Sequence, residues 1–403
     1  MKVLVYSHSF APRIGGAETY ALLLARGLAG VSGSAQRDGI QVTVATPTDR
    51  QGFDDSSLPF RVVRQPGLRT LFRLIRRADI VQIVGPCIVP MFLAWLLGRA
   101  FLVEQHGYQA ICPNGLLFFE PTKSVCPGHF MAKRYGKCWE CNRREGILRS
   151  LKMWILTFLR RWLSNRAAAN VAVTHHVDER LRLRNSSVIY YGIPDTIAQV
   201  EGRVRGPVTS SPVCFAYVGR MVSEKGLGAL LDAAAMLKKD ELNFRLKFIG
   251  DGPERQGLEA NAKRQHLSGF VDFTGFLTGE EFQRAVDDVA VTVMPSRCEE
   301  TAGLSAIEQM MRGRLVLCSD IGGLGEVVNG AGLKFASEDA EALAAWMRRI
   351  VLNPHLVAEL GVKARERALK LFALDRMIEE HLSLYRGAIG QKLPRHDPVS
   401  EFQ

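Results

Sequence analysis

The chain has 403 residues, 47% of them apolar and 23% charged, which is ordinary for a globular enzyme of two domains. A chain of this size buries large cores without disulfides or metals, and eight cysteines exclude a disulfide scaffold. Residues 1–195 carry 26 Lys and Arg against 13 Asp and Glu, whereas the remainder carries 26 against 28. The positive excess of the first half predicts an anionic partner: a membrane surface, a phosphate-bearing acceptor or a nucleic acid.

No secretory signal is predicted, because the apolar run after Lys2 is too short for one. The most hydrophobic stretch, Ile80–Gly98, is interrupted by Gln82, Pro86 and Pro90. We expect a buried strand, a turn and a buried helix there rather than a membrane span. The chain is therefore predicted to be cytoplasmic, with its cysteines reduced.

Strand-like and helix-like segments alternate through the first 195 residues. KVLVYSH at residues 2–8 is typical of a buried parallel strand. The helix after it places Tyr20, Leu23, Leu24, Gly27 and Leu28 on one face. Further strands are predicted at IQVTVAT, FLVEQHG and VAVTHH, which together predict a doubly wound α/β domain.

A second α/β series begins at Val213, after a stretch at 196–212 that we interpret as a linker. Its strands are predicted at VCFAYVG, RLKFIG, VDFTG, VAVTVMP and RLVLCSD. A C-terminal helix and tail at 376–403 would pack back on the first domain, and the residues from Lys392 are predicted to be disordered. The sequence therefore predicts an α/β protein. Two Rossmann-like doubly wound domains, 1–195 and 213–375, would face each other across a cleft, where parallel sheets bind ligands.

Two carboxylates lie in the window MPSRCEETAGLSAIEQMMRG. Glu300 and Glu308 are separated by seven residues, and ionised carboxylates accept hydrogen bonds from the paired hydroxyls of sugars. Between them, Gly303 and Leu304 open a helix whose first N–H groups favour a phosphate. The alternative is that Glu308 is a solvated helix residue and Glu300 an ordinary loop acid.

Basic and glycine-rich segments follow the other strands of this half. Arg220 and Lys225 in VGRMVSEKG come after its first strand and suit a pyrophosphate. Each feature alone is weak, but their succession predicts one ligand site. Two turns follow later strands: Gly250 and Gly252 in IGDGPE, and Gly322, Gly323 and Glu326 in DIGGLGEVV.

These motifs resemble those of the family 4 glycosyltransferases, retaining enzymes of the glycosyltransferase B-type fold. The match runs in order through VGR…EKG, GDGP, PS…E-x-x-GL-x-x-x-E and GG-x-x-E. FAPRIGGAE at Phe10–Glu18, EQHG at Glu104–Gly107 and VIYYGIP at Val188–Pro194 extend the resemblance over nearly the whole chain.

The resemblance implies a role for each motif. Arg220 and Lys225 would hold the donor diphosphate and, with Glu300 on the sugar hydroxyls and His106 beside the sugar, form the catalytic set. Glu308 would bind the ribose. The other donor-binding residues would be Gly15, Gly16, Gly250, Gly252, Gly303 and Leu304.

The resemblance also implies the course of the reaction. No metal is expected for catalysis, because cationic side chains and helix N-termini stabilise the leaving diphosphate. Transfer would keep the anomeric configuration, by front-side attack. Three departures from the family pattern are Ala302 in place of an aromatic residue, Leu315 in place of Pro and Tyr191 in place of Asn. The first leaves the base and sugar of the donor open.

Four of the eight cysteines fall within an insertion at 108–145: Cys112, Cys126, Cys138 and Cys141. The last two have the C-x2-C spacing of a chelating pair, and four thiolates suit tetrahedral Zn²⁺. A structural zinc would stabilise a segment that has no core of its own. The alternative is four free thiols.

Two segments combine basic and apolar residues. Arg69, Arg73, Arg76 and Arg77 share one helical face. In the second segment the apolar residues Trp154, Ile155, Phe158, Leu159 and Trp162 interleave with Arg149, Lys152, Arg160, Arg161 and Arg166. Such helices either lie in a membrane interface or pack on the core with a basic solvated face. The charge imbalance favours the interface.

The sequence thus predicts a cytoplasmic, membrane-peripheral hexosyltransferase. It would move a sugar from a nucleotide diphosphate sugar to a glycan or lipid-linked glycan, in cell-surface polysaccharide, lipopolysaccharide or glycolipid biosynthesis. The alternatives are a nucleotide-sugar epimerase of the same architecture and a basic nucleic-acid-binding protein. Against the latter, no stacking-aromatic module is visible.

Overall fold

Two compact units make up the chain in the computed structural model, which describes residues 1–30, 39–143, 146–195 and 212–390. Unit 1 comprises Met1–Gly115, Gly128–Pro194 and the chain from Leu374, and unit 2 comprises Leu116–Pro127 and Asp195–Ala373. The predicted linker, except for its last residue, and the tail predicted to be disordered lie outside the described residues.

Fifteen strands are found in the described residues. They are β1 (Lys2–Ser7), β2 (Gln41–Thr46), β3 (Arg61–Arg64), β4 (Ile80–Val84), β5 (Phe101–Gln105), β6 (Phe118–Phe119), β7 (Ser124–Val125), β8 (Ala169–Ala172), β9 (Ser186–Val188), β10 (Val213–Val218), β11 (Phe244–Ile249), β12 (Val271–Gly275), β13 (Val291–Met294), β14 (Leu315–Ser319) and β15 (Leu333–Phe335). Each predicted strand is present, and all but one lie within two residues of their expected bounds. The exception is VAVTHH at 171–176, where β8 ends at Ala172 and α6 begins at His175.

Each unit contains one fully parallel sheet. The order is β3-β2-β1-β4-β5-β8-β9 in unit 1 and β12-β11-β10-β13-β14-β15 in unit 2. The central strands β4, β5, β10, β13 and β14 are buried at every residue, as expected when helices cover both faces of a sheet. In both sheets the order reverses beside the first strand, and such switch points hold ligands at the carboxyl ends of the strands. The predicted α/β class of two Rossmann-like domains is confirmed.

Fourteen α-helices occur in the same described residues. They are α1 (Gly16–Leu28), α2 (Leu68–Arg77), α3 (Ile88–Leu96), α4 (Tyr135–Asn142), α5 (Ile147–Ser164), α6 (His175–Leu181), α7 (Leu227–Lys239), α8 (Arg255–Arg264), α9 (Gly279–Asp287), α10 (Leu304–Met311), α11 (Gly322–Val328), α12 (Ala340–Leu352), α13 (Pro354–Leu371) and α14 (Leu374–Gly390). Several begin on local signals: Asp339 caps α12 by accepting from the N–H of Ala342, and Pro354 opens α13. None of these described helices is long and apolar enough to cross a bilayer.

Two segments differ from the predicted organisation. Leu116–Pro127, within the predicted insertion of the first domain, belongs to unit 2, where Nη2 of Arg297 donates to the carbonyl of Lys123 at 3.0 Å. α3 was expected to be buried, yet Val89, Phe92 and two further apolar side chains on it are exposed. Hydrophobicity alone therefore did not indicate which side of α3 meets the core.

The last helix, α14, belongs to unit 1. It packs closely on α1, where a Cβ added at Gly27 would lie 2.5 Å from Cδ1 of Ile378. The absence of a side chain at Gly27 thus lets the two helices approach. The helix predicted at the start of the 376–403 segment corresponds to α14, while the two helices before it, α12 and α13, belong to unit 2.

Candidate active site

Two loops at the carboxyl end of the unit 2 sheet bring Lys225 and Glu300 together. Lys225 ends the short turn that follows β10, and Glu300 follows β13. The N–H of Arg297 in the second loop donates to the carbonyl of Glu224 in the first, at 2.8 Å. Gly226 has φ of 64°, and a Cβ there would lie 2.1 Å from the Pro295 carbonyl oxygen, so only glycine allows this approach.

Lys225 and Glu300 form a buried ion pair. Nζ of Lys225 lies 2.8 Å from Oε1 of Glu300, whose side chain is only 9% exposed, and Oγ of Ser296 also donates to that carboxylate. Burial acts to raise the pKa of Glu300, but the charge and hydrogen bond of Lys225 outweigh it and hold that pKa below its usual range. The pKa of Lys225 is raised because Glu300 outweighs the effect of burial. Both groups are therefore charged at neutral pH.

Arg220 supplies a second cation at the same end of the sheet. It is exposed just after β10, and the hydroxyl of Tyr217 donates to its carbonyl at 2.7 Å, which fixes the turn. The charge of Arg220 contributes to the lowered pKa of Glu300, so the two groups interact. This edge of unit 2 thus combines two cations with one ionised carboxylate, a set that suits a diphosphate joined to a hydroxyl-rich group.

Glu308 lies on α10, the helix that begins immediately after this loop. Gly303 precedes α10 with φ of 77°, and no side chain caps the N-terminus that starts at Leu304. Burial raises the pKa of Glu308 to about 6, and the nearby charge of Arg312 only partly offsets it. Glu308 is therefore not the solvated helix residue of the alternative interpretation.

The glycine pair of the GDGP turn packs backbone against backbone. A Cβ at Gly250 would lie 2.0 Å from the Gly219 carbonyl oxygen, and one at Gly252 would lie 2.3 Å from that of Met221. The N–H of Met221 in turn donates to the carbonyl of Asp251 at 2.9 Å. These glycines hold the turn that carries Arg220. From the sequence they were predicted only to bind the donor, and this structural role was not predicted.

The start of α11 supports Glu300 from the other side. Gly322 has φ of 64°, and a Cβ there would lie 2.7 Å from the carbonyl oxygen of Glu300. The N–H of Gly323 donates to that same oxygen at 2.7 Å. Glu326 lies on α11, and its carbonyl accepts from Nη2 of Arg367. The GG-x-x-E motif thus anchors the backbone that carries the catalytic candidate.

In unit 1, His106 follows β5 and is surrounded by aromatic rings. Nδ1 of His106 lies 2.8 Å from the hydroxyl of Tyr191, whose ring stacks on it, and the ring of Tyr20 meets it edge-on at 4.4 Å. Burial lowers the pKa of His106 to about 4, so the imidazole is neutral at physiological pH. Tyr191, noted only as a departure from the family pattern, therefore positions this histidine.

The Gly15–Gly16 pair lies at the start of α1. A Cβ at Gly15 would lie 2.4 Å from Oε2 of Glu18, whereas one at Gly16 would meet no atom within 4 Å. The charge of Glu18 also acts on His106, where it raises the pKa against the effect of burial. Gly15 thus accommodates the Glu18 carboxylate, and the Gly16 position is open.

A buried polar network behind His106 was missed from the sequence. Glu104 accepts from Nε2 of Gln82 at 2.6 Å and pairs with Nε2 of His381 at 2.8 Å, and that histidine nitrogen also lies 3.1 Å from the Tyr20 hydroxyl. Glu104 stood in the EQHG motif, but His381 lies 277 residues away on α14, and no local pattern links the two. The network ties α14 to β5 and α1.

The described residues give no support for the predicted zinc site of the cysteines. Among the residues that the structure describes, no group of three or more His, Cys, Asp or Glu side chains could hold a metal ion. Sγ of Cys112 donates to Oδ1 of Asn114, whose amide nitrogen donates to Sγ of Cys141 at 3.6 Å. Cys138 is buried on α4, and Cys126 belongs to the segment of unit 2. The spacing alone did not reveal that the four thiols are divided between two units.

Known proteins match both halves of the chain. The family model "Glycosyltransferase Family 4" matches residues 14–196, and "Glycosyl transferases group 1" matches residues 203–367. Two relatives come from Streptomyces kanamyceticus. A 2-deoxystreptamine glucosyltransferase is 29% identical over 59% of this chain and 65% of its own, and an alpha-D-kanosaminyltransferase is 27% identical over 74% and 73%. The chain thus spans somewhat less than two thirds of the first relative.

A solved structure is similar over almost the full length. Anabaena Alr3699/HepE in complex with UDP aligns with a TM-score of 0.70, covering 96% of this chain and 100% of its own at 16% identity. At that identity the likeness concerns the fold, and it defines a two-domain α/β protein of the glycosyltransferase B-type. The family assignment comes from the two family models, which together place the chain in family 4 of the glycosyltransferases, glycosyl transferases group 1.

Proposed function

We propose that the protein transfers a hexose from a nucleotide diphosphate sugar to a hydroxyl of a glycan or lipid-linked glycan, with retention of configuration and without a catalytic metal. The buried Lys225–Glu300 pair beside Arg220 carries this proposal. Two fixed cations meet the negative charge that grows on a leaving diphosphate, which is the largest catalytic demand of such a transfer. We further propose that the product belongs to a cell-surface polysaccharide or glycolipid.

Each side chain has a task in this proposal. Arg220 binds the diphosphate from its exposed position, and Lys225 sits between the diphosphate and Glu300. Glu300, already ionised and oriented by Ser296, accepts hydrogen bonds from the sugar hydroxyls. Glu308 accepts from the ribose when it is ionised, which holds for most of the population above its pKa of about 6.

The N-terminus of α10 and the GDGP turn complete the donor site. The first backbone N–H groups of α10, which begin at Leu304, have no side-chain cap. Uncapped N–H groups at a helix N-terminus favour the binding of a phosphate. Gly250 and Gly252 act by holding the Arg220 turn in place. Glu308 and the proposed phosphate-binding N-terminus thus belong to one helix, α10, which fixes the distance between them.

Within unit 1, the proposed substrate-binding residues are His106 and the Gly15–Gly16 loop. A neutral imidazole cannot deliver a proton at physiological pH, so His106 serves as a hydrogen-bonding group for a substrate rather than as an acid. Gly16 leaves open space at the start of α1 for donor or acceptor. HepE was crystallised with UDP, which supports a uridine donor for this chain as well.

Turnover of a panel of nucleotide sugars in the presence of EDTA tests the proposal. Glu300→Gln should lower turnover about 100-fold while nucleoside diphosphate still binds, because a charge-assisted hydrogen bond to the sugar is lost. Glu299→Gln, one residue away, is the matched control and should retain activity. Unchanged turnover of Glu300→Gln at saturating donor, or a strict need for a divalent metal, would contradict the proposal.

A further inference from the structure

Unit 1 exposes an unusual amount of apolar surface on three of its helices. In the described residues 19 large apolar side chains are exposed, and twelve of them lie on α2, α3 and α5. Leu148 on α5 is 83% exposed, and Trp95 on α3 and Trp162 on α5 are 37% and 39% exposed. An exposed leucine is ordinary by itself, but a contiguous apolar patch marks an interaction site.

The orientation of α5 is inverted with respect to a normal surface helix. Its buried residues include Ser150, Thr157 and Ser164, whose hydroxyls face the protein, and a single leucine, Leu163, while three of its other leucines, both isoleucines and Trp162 are exposed. Oγ of Ser150 donates to the carbonyl of Asn142, and Oγ1 of Thr157 donates to that of Met153. A surface helix of a protein surrounded by water shows the opposite arrangement. The outward face of α5 therefore suits an apolar medium.

The exposed surfaces of the three helices are continuous. The ring of Trp95 meets that of Trp162 edge-on at 5.2 Å, and Phe92 lies 5.8 Å from Trp95. Between α2 and α3, a groove of about 650 Å³ is lined by Leu68, Arg69, Phe72, Arg73 and Leu93. We call this joint surface of α2, α3 and α5 the basic apolar face.

The charge of the basic apolar face has a single sign. The three helices contain no Asp or Glu, and they carry eight cations: Arg69, Arg73, Arg76, Arg77, Arg149, Lys152, Arg160 and Arg161. All four arginines of α2, together with Arg149 and Lys152, are exposed. A second copy of the chain would bring like charges together on this face, whereas anionic lipid headgroups complement it.

One of these cations serves the fold instead. Nη1 and Nη2 of Arg161 donate to the carbonyls of Leu181 and Arg182 at 2.8 and 3.2 Å, at the C-terminal end of α6. Arg161 was predicted to be an interfacial cation, but its guanidinium is engaged by these two carbonyls instead. Arg166 lies over the ring of Trp162 at 3.7 Å and so sits at the edge of the aromatic surface.

We propose that the basic apolar face docks on the surface of an anionic phospholipid bilayer. The side chains of Leu148, Ile155 and their neighbours enter the headgroup boundary, Trp95 and Trp162 lie at the level of the headgroups, and the exposed arginines bind lipid phosphates. This inference goes beyond the proposed transfer reaction, because it concerns a surface that contains none of the catalytic candidates.

Vesicle co-sedimentation of the full-length protein tests the docking. The wild type should bind vesicles of phosphatidylcholine mixed with phosphatidylglycerol, bind much less to phosphatidylcholine alone, and dissociate as salt is raised. Arg69→Gln with Arg73→Gln should weaken binding about 25-fold, since each cation near an anionic surface is worth about a factor of five. Lys263→Gln with Arg264→Gln on α8 is the matched charge control and should bind like the wild type.

A second pair of variants tests the apolar contribution. Leu148→Ser with Ile155→Ser should lose most vesicle binding, while Val362→Ser with Leu369→Ser, exposed on α13, should not. All four variants replace exposed side chains, and unchanged circular dichroism and nucleoside diphosphate binding will show that they are folded. The proposal is overturned if the wild type ignores anionic vesicles at low salt. It is equally overturned if Leu148→Ser with Ile155→Ser abolishes self-association in sedimentation velocity rather than vesicle binding.

Discussion

The Lys225–Glu300 ion pair makes a quantitative prediction about the stability of unit 2. Two unit charges 2.8 Å apart attract by about 6 kcal/mol at an effective dielectric constant of about 20, and the cost of removing both from water offsets much of this. Removing one partner leaves the other buried and unpaired. Lys225→Met or Glu300→Gln alone should therefore lower the free energy of unfolding by about 3–5 kcal/mol.

The double variant should recover part of that loss. Lys225→Met with Glu300→Gln leaves no buried charge, so it should be more stable than either single variant. This requires a coupling energy larger than the loss in one single variant, about 3–5 kcal/mol. The free energy of unfolding can be measured in urea, with hydrogen exchange in peptides from β10 and β13 as the probe. These peptides report on unit 2 directly. The matched control is Lys247 with Asp288, whose carboxylate side chain is 45% exposed and whose coupling should stay below about 1 kcal/mol.

The pH dependence of the coupling follows from the two pKa shifts. The pKa of Glu300 is lowered from 4.5, so its contribution is present above that value and is lost as pH falls through the folded-state pKa. The pKa of Lys225 is raised from 10.5, so its contribution is present below that value and is lost only in strong alkali. The coupling should thus be constant from about pH 5 to 10. Additive effects of the two substitutions at pH 7 would refute the reasoning.

Three further predictions concern other parts of the molecule. Nucleoside diphosphate affinity should fall as pH drops through about 6, by up to about tenfold per pH unit, because protonated Glu308 no longer accepts two hydrogen bonds. Calorimetry measures this affinity, and in Glu308→Gln it should not show the fall near pH 6. Gly250→Ala should cost more than about 2 kcal/mol of stability because a backbone carbonyl fills the Cβ position, whereas Gly279→Ala, strained but open, should cost about 1 kcal/mol; urea unfolding measures both. His381 is buried against Glu104, Glu380 and Tyr20, and Glu104 raises its pKa despite burial. Its stabilisation should be present below pH 6.5 and fade as pH rises through the folded-state pKa, a dependence that His381→Gln should abolish in unfolding measured across pH.

The alternation of strands and helices was predictable because burial on both faces of a parallel sheet imposes continuous apolar runs. VCFAYV and LVLCS are examples, and both are central strands of unit 2. The side chains of the candidate donor site were also accessible from the sequence, because strand-end loops bring them together in chain order. Glu300 and Lys225 were assigned to different parts of the donor, and their direct pairing came only from the structure.

Contacts between distant residues could not be predicted. His381 pairs with Glu104 across 277 residues, and nothing near His381 in the sequence indicates a buried histidine. The four cysteines had metal-like spacing, but spacing does not report which unit a segment joins, and Cys126 joins a different unit from the other three. The exposure of α3 was missed because a hydrophobic helix in a membrane interface and one in a core have the same composition.

The most direct test of the central claim is the stereochemical course of the reaction. The full-length protein should release nucleoside diphosphate from one nucleotide sugar with EDTA present, and proton NMR of the first product should show the anomeric configuration of the donor. Lys225→Ala should lower this turnover by about 100-fold or more, because a charge beside the leaving diphosphate is lost. An inverted product, or no nucleotide sugar consumed by the wild type with any hydroxyl acceptor, would contradict the account.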